Sequence, residues 1–364
     1  MKFYIISGEA SGDLHSSNLM RELKKLDVNA AFRCWGGDLM KEQGGHLVKH
    51  YRELAFMGFT EVVLNLRTIL KNIEFCKRDI LENKPDVLIL VDYPGFNLRI
   101  AEFAKEKGIK VVYYISPQIW AWKQSRVHKI KRVVDKMLVI LPFEKEFYKR
   151  FNYEVEFVGH PLLDAIKNTI PSKPVIESTL PIIAILPGSR RQEIIQMLPL
   201  MLSVKDSFKN YQFVVAGAPS HNPAFYETLL KGSDVKIVYN QTYSLLSQSH
   251  AALVTSGTAT LETALFGVPE VVCYKGGNIS YQIAKRLVKV KYISLVNLIM
   301  DREVVKELIQ DELNTNTIKT ELNKILAGPT RDQMLKEYAD LKQKLGGAGA
   351  SLKAAESIMR FLNQ

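Results

Sequence analysis

The sequence predicts two α/β domains, each a doubly wound parallel sheet covered by helices on both faces. Three observations lead there. Apolar, β-branched runs of strand length recur along the chain with helical patterns between them, as buried parallel strands joined by crossover helices require. These runs fall into two sets, parted by the turn- and proline-rich stretch Asn168-Thr169-Ile170-Pro171-Ser172-Lys173-Pro174. The length, 364 residues, is long for one domain and comfortable for two.

The first set of strands is expected at Phe3 to Ser7, Val87 to Val91, Val111 to Ile115, Met137 to Ile140 and Val155 to Val158. The second is expected at Ile182 to Leu186, Phe213 to Ala216, Lys236 to Tyr239, Ala251 to Thr255 and Val271 to Tyr274. The domains are then residues 1–167 and 175–335, facing one another across a cleft at the carboxyl ends of their strands. After about Glu303 the chain reads as mostly helical, and Gly346-Gly347-Ala348-Gly349 interrupts it before an amphipathic helix from Ser351 to Phe361. Residues 336–364 are expected as C-terminal helices, packed on the first domain or on a partner chain.

Composition narrows the function classes. The longest apolar runs, such as Val87-Leu88-Ile89-Leu90-Val91, are strand-sized, so no helical membrane span is expected. The apolar part of Met1 to Gly8 is too short for a signal peptide and reads as the first strand. Cys34, Cys76 and Cys273 lie far apart without a CxxC pair, which points to a reducing compartment and away from zinc. The net charge of +11 favours an anionic partner: nucleic acid, an anionic membrane or a phosphorylated substrate.

Chemistry concentrates where expected strands end. Leu186-Pro187-Gly188-Ser189-Arg190-Arg191 joins an apolar strand to a helix, and such a helix start offers unpaired N–H groups and a positive dipole to a phosphate. A guanidinium at the same turn grips phosphate bidentately, whereas an ordinary turn with solvated arginines is the plainer alternative. Thr255-Ser256-Gly257-Thr258 repeats the pattern, with Glu262 one helical turn further on, placed for ribose hydroxyls; simple capping is the alternative. Gly8-Glu9-Ala10-Ser11-Gly12-Asp13 puts two carboxylates and a hydroxyl at the first strand's tip, although Ser11 or Asp13 also suits a helix cap. Asp92 follows the strand Val87 to Val91, where a carboxylate can take a proton from a hydroxyl nucleophile or cap the next helix. His15 and His160 lie near strand ends and are further acid–base candidates.

Other segments have apolar or basic character. Ser116-Pro117-Gln118-Ile119-Trp120-Ala121-Trp122, followed by Lys123, Arg126, Lys129, Lys131 and Arg132, fits nucleic acid, sugar stacking, membrane docking or a solvated helix face. Phe56, Met57, Phe59 and Val62 belong to an apolar stretch that suits acyl chains or core packing. Lys285, Arg286, Lys289 and Lys291 alternate with Leu287, Val288 and Val290, as for contact with anionic lipid or for a basic surface helix. No Asp-x-Asp occurs, so no metal ligands for a diphosphate are apparent.

Taken together, these segments resemble the lipid A disaccharide synthases, inverting glycosyltransferases of the two-domain GT-B fold built from Rossmann-like domains. Leu54 to Val62, Tyr114 to Trp122, Leu141-Pro142-Phe143-Glu144, Phe157-Val158-Gly159-His160-Pro161, and Ala284 to Lys289 through Ser294-Leu295-Val296-Asn297-Leu298 add to the motifs above, in order along nearly the whole chain. The resemblance implies transfer from UDP-2,3-diacylglucosamine to 2,3-diacylglucosamine 1-phosphate (lipid X), giving the β-1,6 disaccharide 1-phosphate and UDP. It further implies an acceptor-binding first domain, a UDP-sugar-binding second domain and a cytoplasmic enzyme peripheral on the inner membrane. No cofactor, metal or nucleic acid is implied, and a homodimer stays open. Asp92 is the expected base, with Glu9 the second candidate; Arg190 and the Ser256–Thr258 turn are expected on the leaving UDP, Glu262 on the ribose, and Asn297 facing the donor. Gly95 departs from the family pattern, which carries an acidic residue there. Another GT-B enzyme acting on UDP-N-acetylglucosamine, a MurG-like transferase or a 2-epimerase, is the alternative.

Overall fold

The computed structural model describes residues 1–54, 66–168, 174–218, 220–230, 232–277 and 290–364. Two compact units divide the chain: 1–165 with 345–364, and 166–344.

The first unit begins with β1 (Lys2–Ser7), α1 (Ala10–Leu26), β2 (Ala31–Gly36), α2 (Asp38–Glu42) and β3 (His46–His50). It continues through α3 (Leu66–Asn83), β4 (Val87–Val91), α4 (Pro94–Glu106), β5 (Lys110–Tyr114), α5 (Arg126–Val133), β6 (Lys136–Val139), α6 (Pro142–Lys149) and β7 (Glu156–Phe157); α7 (Leu162–Asn168) leads out. The strands form one parallel sheet in the order β3-β2-β1-β4-β5-β6-β7. Order reverses between β1 and β4, where Ser7 pairs with Val91. Both are wholly or almost wholly buried, which is why β4 carries five consecutive aliphatic residues. Each such side chain contributes roughly 1.5–3 kcal/mol by leaving water.

β2 and β3 escaped the sequence expectations. β2 carries Arg33 in mid-strand, and its guanidinium is taken up by Asp79 of α3 through Nε–Oδ2 at 2.7 Å and Nη2–Oδ1 at 2.5 Å. Asp79 also accepts from the Tyr4 hydroxyl at 2.6 Å, which in turn accepts from Trp35 Nε1 at 2.8 Å. A charge within the sheet is tolerated because it is paired and hydrogen-bonded.

The second unit holds β8 (Ile182–Leu186), α8 (Arg191–Leu202), β9 (Gln212–Gly217), α9 (Pro223–Leu230), β10 (Lys236–Tyr239), α10 (Thr242–Leu246), β11 (Ser249–Thr255) and α11 (Thr258–Leu265). Then come β12 (Glu270–Tyr274), α12 (Leu295–Met300), β13 (Lys306–Ile309), α13 (Thr315–Leu326) and α14 (Pro329–Lys344). Its parallel sheet has the order β10-β9-β8-β11-β12-β13, again reversing at the middle, where Leu186 pairs with Val254. After Glu303 the chain is mostly helical, as expected, but the short edge strand β13 was not foreseen.

The boundary expected at residues 335 and 336 is also displaced. α14 runs unbroken through it and belongs to the second unit, and the chain leaves it through Gly346 and Gly347, both with left-handed φ. The last helix, α15 (Ala350–Leu362), packs along α1 of the first unit. Asp164 fixes its start by accepting from the Gly349 and Ser351 N–H groups at 2.5 and 2.8 Å, an N-terminal cap supplied from elsewhere in the chain.

Candidate active site

Ligands of doubly wound sheets bind beyond the carboxyl ends of the strands, where the strand order reverses. In each unit two motifs meet at that point.

In the first unit, Gly8 and Glu9 follow β1 and Asp92 follows β4, its direct neighbour. Asp92 and Tyr93 both adopt left-handed backbone, φ +44° and +48°, without being glycine. Each costs of order 1–3 kcal/mol and needs surrounding structure to impose it. Two buried donors do so: the Tyr113 hydroxyl donates to the Asp92 carbonyl at 2.5 Å, and Asn97 Nδ2 donates to it at 2.7 Å. The Tyr93 ring lies over Gly8, where a Cβ would stand 2.4 Å from the ring. Burial, then the neighbouring Glu9 charge, push the Asp92 carboxyl up to about 7, against the Tyr93 N–H, which favours the ionised form.

Asp13 is corrected. Its carboxylate accepts from the N–H groups of Gly37 at 2.8 Å, Met40 at 3.1 Å and Leu39 at 3.2 Å, so it caps α2, which follows β2 directly. Gly12 is buried against Ser7, while Ser11 is exposed. His15 and His160 are corrected too. They lie edge to face with ring centroids 6.4 Å apart, and burial pushes them down to about 4 and about 3. Neutral and enclosed, they are core residues.

In the second unit, the Gly188 turn follows β8 and the Ser256 turn follows its neighbour β11. Gly188 has φ +103°, and a Cβ there would meet the Glu193 carboxylate at 2.8 Å, so glycine is required. Arg190 caps α8: its N–H donates to Glu193 at 3.4 Å and its Nη1 pairs with the same carboxylate at 3.0 Å, with the guanidinium 66% exposed. The Ser189 carbonyl accepts from the Ser220 hydroxyl at 3.2 Å and lies 3.0 Å from His221 Nε2, two partners that sequence reasoning missed. Gly257 caps α11 and Thr258 opens it, both exposed, while the Ser256 hydroxyl donates to the Ile293 carbonyl at 2.9 Å. Glu262 accepts from the Tyr243 hydroxyl at 3.0 Å, and burial holds its carboxyl above the usual range.

Asn297 is corrected. It is fully buried, donates to the Val305 carbonyl at 2.8 Å and Glu307 at 2.9 Å, and accepts from the Val304 and Val305 N–H groups at 2.7 and 3.0 Å. With its amide wholly spent, it ties α12 to β13. Phe56, Met57, Phe59, Val62, Lys285, Arg286 and Lys289 lie outside the described residues.

A strand-tip carboxyl poised near neutrality in one unit and paired helix starts in the other suit proton abstraction and diphosphate binding respectively. Comparison with known proteins gives the reaction. The family model described as Lipid-A-disaccharide synthetase matches residues 3–360. The lipid-A-disaccharide synthase of Geobacter sulfurreducens is 37% identical, with 100% of this chain and 98% of that protein covered. That of Syntrophus aciditrophicus is 39% identical, with 99% and 97% covered. Among solved structures, the UDP-GlcNAc 2-epimerase from Neisseria meningitidis bound to UDP-GlcNAc superposes with a TM-score of 0.68 at 15% identity, covering 99% of this chain and 100% of that one. The glycotransferase of kitacinnamycin gives 0.68 at 14%, covering 99% and 98%. These structures share the fold, the two-domain GT-B architecture of glycosyltransferases and epimerases, and the sequence relatives share the activity. The chain therefore belongs to the lipid-A-disaccharide synthetase family, glycosyltransferases of lipid A biosynthesis.

Proposed function

We propose that the transfer proceeds by direct displacement with Asp92 as base. Asp92 accepts the proton of the 6-hydroxyl of 2,3-diacylglucosamine 1-phosphate as that oxygen attacks the anomeric carbon of UDP-2,3-diacylglucosamine. The carbon–oxygen bond to UDP breaks, the anomeric configuration inverts, and UDP leaves. The observation that carries this is the Asp92 carboxyl, held at the strand tip and pushed to about 7. Such a base is half ionised near neutral pH and strong enough to take a hydroxyl proton in the transition state, worth ~10²–10⁴ in rate. Glu9 acts through its charge on Asp92 and is the second candidate base.

The Gly188–Ser189–Arg190 turn and the Gly257–Thr258 helix start hold the diphosphate through first-turn N–H groups. The exposed Arg190–Glu193 pair is worth about 0–1 kcal/mol, so a doubly charged diphosphate competes well for the guanidinium. Glu262, steadied by Tyr243, takes ribose hydroxyls. Because both substrates carry acyl chains, the enzyme works at the cytoplasmic surface of the inner membrane. The net charge of +11 favours its anionic lipid, and Phe56, Met57, Phe59, Val62, Lys285, Arg286 and Lys289 are the residues we assign to acyl or membrane contact. No helix among the described residues is long and apolar enough to cross a membrane.

The test is UDP release from UDP-2,3-diacylglucosamine with and without lipid X, with UDP-N-acetylglucosamine as control. Release only with both acylated sugars supports the reading; release from UDP-N-acetylglucosamine alone would replace it with an epimerase-like or other transferase activity.

A further inference from the structure

The loop after β5 starts beside the candidate base: β4 and β5 are neighbours, and the Asp92 N–H donates to the Ile115 carbonyl at 3.3 Å. Its first part is firmly seated. The Ser116 and Tyr148 hydroxyls are 2.7 Å apart, Ile119 and Trp120 are buried, and the Trp120 ring meets Phe143 edge-on at 4.9 Å. Buried Glu144, which accepts from the Ile140 and Leu141 N–H groups at 3.2 and 2.9 Å, fixes the start of the helix bearing Phe143.

That ordered base presents something unlike the rest of the unit. Trp122 is 49% exposed, whereas Trp35 and Trp120 are buried. Two cations flank its ring: Lys123 Nζ lies 4.3 Å and Arg126 Cζ 5.7 Å from the centroid. Further along the same basic stretch the charges are spent, Lys129 and Arg132 on Glu102 and Lys131 on the Phe151 carbonyl. Among the described residues, neither Lys123 nor Arg126 has a carboxylate within ion-pair distance. Burial and then the Asp92 charge push the Tyr113 hydroxyl up, and the Arg126 charge pulls it back. The guanidinium is thus within electrostatic reach of the phenol that donates to the Asp92 carbonyl.

We propose that Trp122, Lys123 and Arg126 form the subsite for the acceptor's sugar phosphate, the indole packing on the sugar and the two cations holding a phosphate monoester. The proposal rests on the acceptor reading above and adds the means by which a phosphorylated acceptor is told from an unphosphorylated one. An aromatic face buries apolar sugar C–H groups, and a guanidinium fork beside an ammonium matches a dianionic phosphate. Cations held by a ring and not by carboxylates also leave no counter-charge unpaired when the phosphate binds.

The experiment compares kcat/KM for UDP release with 2,3-diacylglucosamine 1-phosphate and with the same sugar lacking the phosphate, in neutral detergent micelles. Wild type should prefer the phosphorylated acceptor, and the Lys123→Gln, Arg126→Gln double variant should lose at least tenfold of that preference. The single variants, each checked for an unchanged melting temperature, should each lose part of it. An unchanged preference in the folded variants, or no preference in the wild type, overturns the subsite. So does a loss that appears only when anionic lipid is added to the micelles, which would make these cations a membrane contact. Failure of the underlying reading looks different: no UDP release from wild type with either acceptor.

Discussion

The hydroxyl of Tyr113 donates to the main-chain carbonyl of Asp92, not to its carboxylate, at 2.5 Å. The contact therefore holds the main chain from which the Asp92 side chain projects, and takes up neither carboxylate oxygen. Tyr113→Phe removes one buried hydrogen bond, worth about 0.5–1.5 kcal/mol of stability. We expect kcat to fall by roughly tenfold with KM for both sugars within twofold, since a misaimed base loses rate and not binding. A proportional rise in KM would show that Tyr113 shapes the binding site instead.

The pH profile reports the same carboxyl. Asp92 works ionised, so kcat/KM should rise with pH and level off above an apparent pKa near 7. Part of that elevation comes from Glu9, whose negative charge disfavours a second one. Glu9→Gln should therefore move the acidic limb to lower pH while preserving its shape. A limb that stays in place would mean that Glu9 does not act on Asp92 through charge.

Asn297 is expected to behave as a structural residue. Asn297→Ala takes their side-chain partner from the Val304 and Val305 N–H groups and the Val305 carbonyl, at about 1–3 kcal/mol for each buried group, while Glu307 keeps the Ile293 and Ser294 N–H groups. A fall of several degrees in melting temperature should result, at ~2–4 °C per kcal/mol for a domain of this size. UDP affinity measured well below the melting point should stay within threefold of wild type. A lost affinity at unchanged stability would restore Asn297 to the donor site.

Glu270, at the start of β12, is completely buried, and among the described residues neither carboxylate oxygen has a hydrogen-bond partner. Burial raises its pKa well above the usual carboxylate range, so the folded state holds it protonated. Its contribution to stability is complete below the unfolded pKa near 4.3 and declines as pH rises towards the folded value, by up to about 1.4 kcal/mol per pH unit. Glu270→Met fills the same space without a charge and should raise the melting temperature at pH 8 more than at pH 5. Equal gains at both pH values would count against a buried neutral carboxyl.

How far the sequence was legible depended on where each residue's partner lies. β4 and β8 were expected residue for residue, because a strand buried on both faces must be aliphatic throughout. β2 was hidden by Arg33, whose neutralising Asp79 is 46 residues away. β3 and β13 lie at sheet edges, where half-polar sequences such as His46 to His50 suffice. At the site, Asp92 and Glu9 could be placed because position at a strand tip is a local property. The backbone bonds of Asp13 and Asn297 were not foreseen, because polarity in a strand-end motif looks the same whether the group meets a ligand or a distant backbone N–H. Tyr113 and Asn97 gave no signal, since their bonds to Asp92 exist only once the chain has kinked there.

The return of α15 to α1 sets an order of assembly. Domains usually fold as they leave the ribosome, the earlier before the later. Here residues 166–344 emerge as a contiguous stretch and can close their sheet while the first unit still lacks residues 345–364. The half that carries the candidate base is thus the first synthesised and the last completed. Until α15 arrives, the face of α1 that it covers waits in water, in a nascent chain whose second unit can already have closed its sheet.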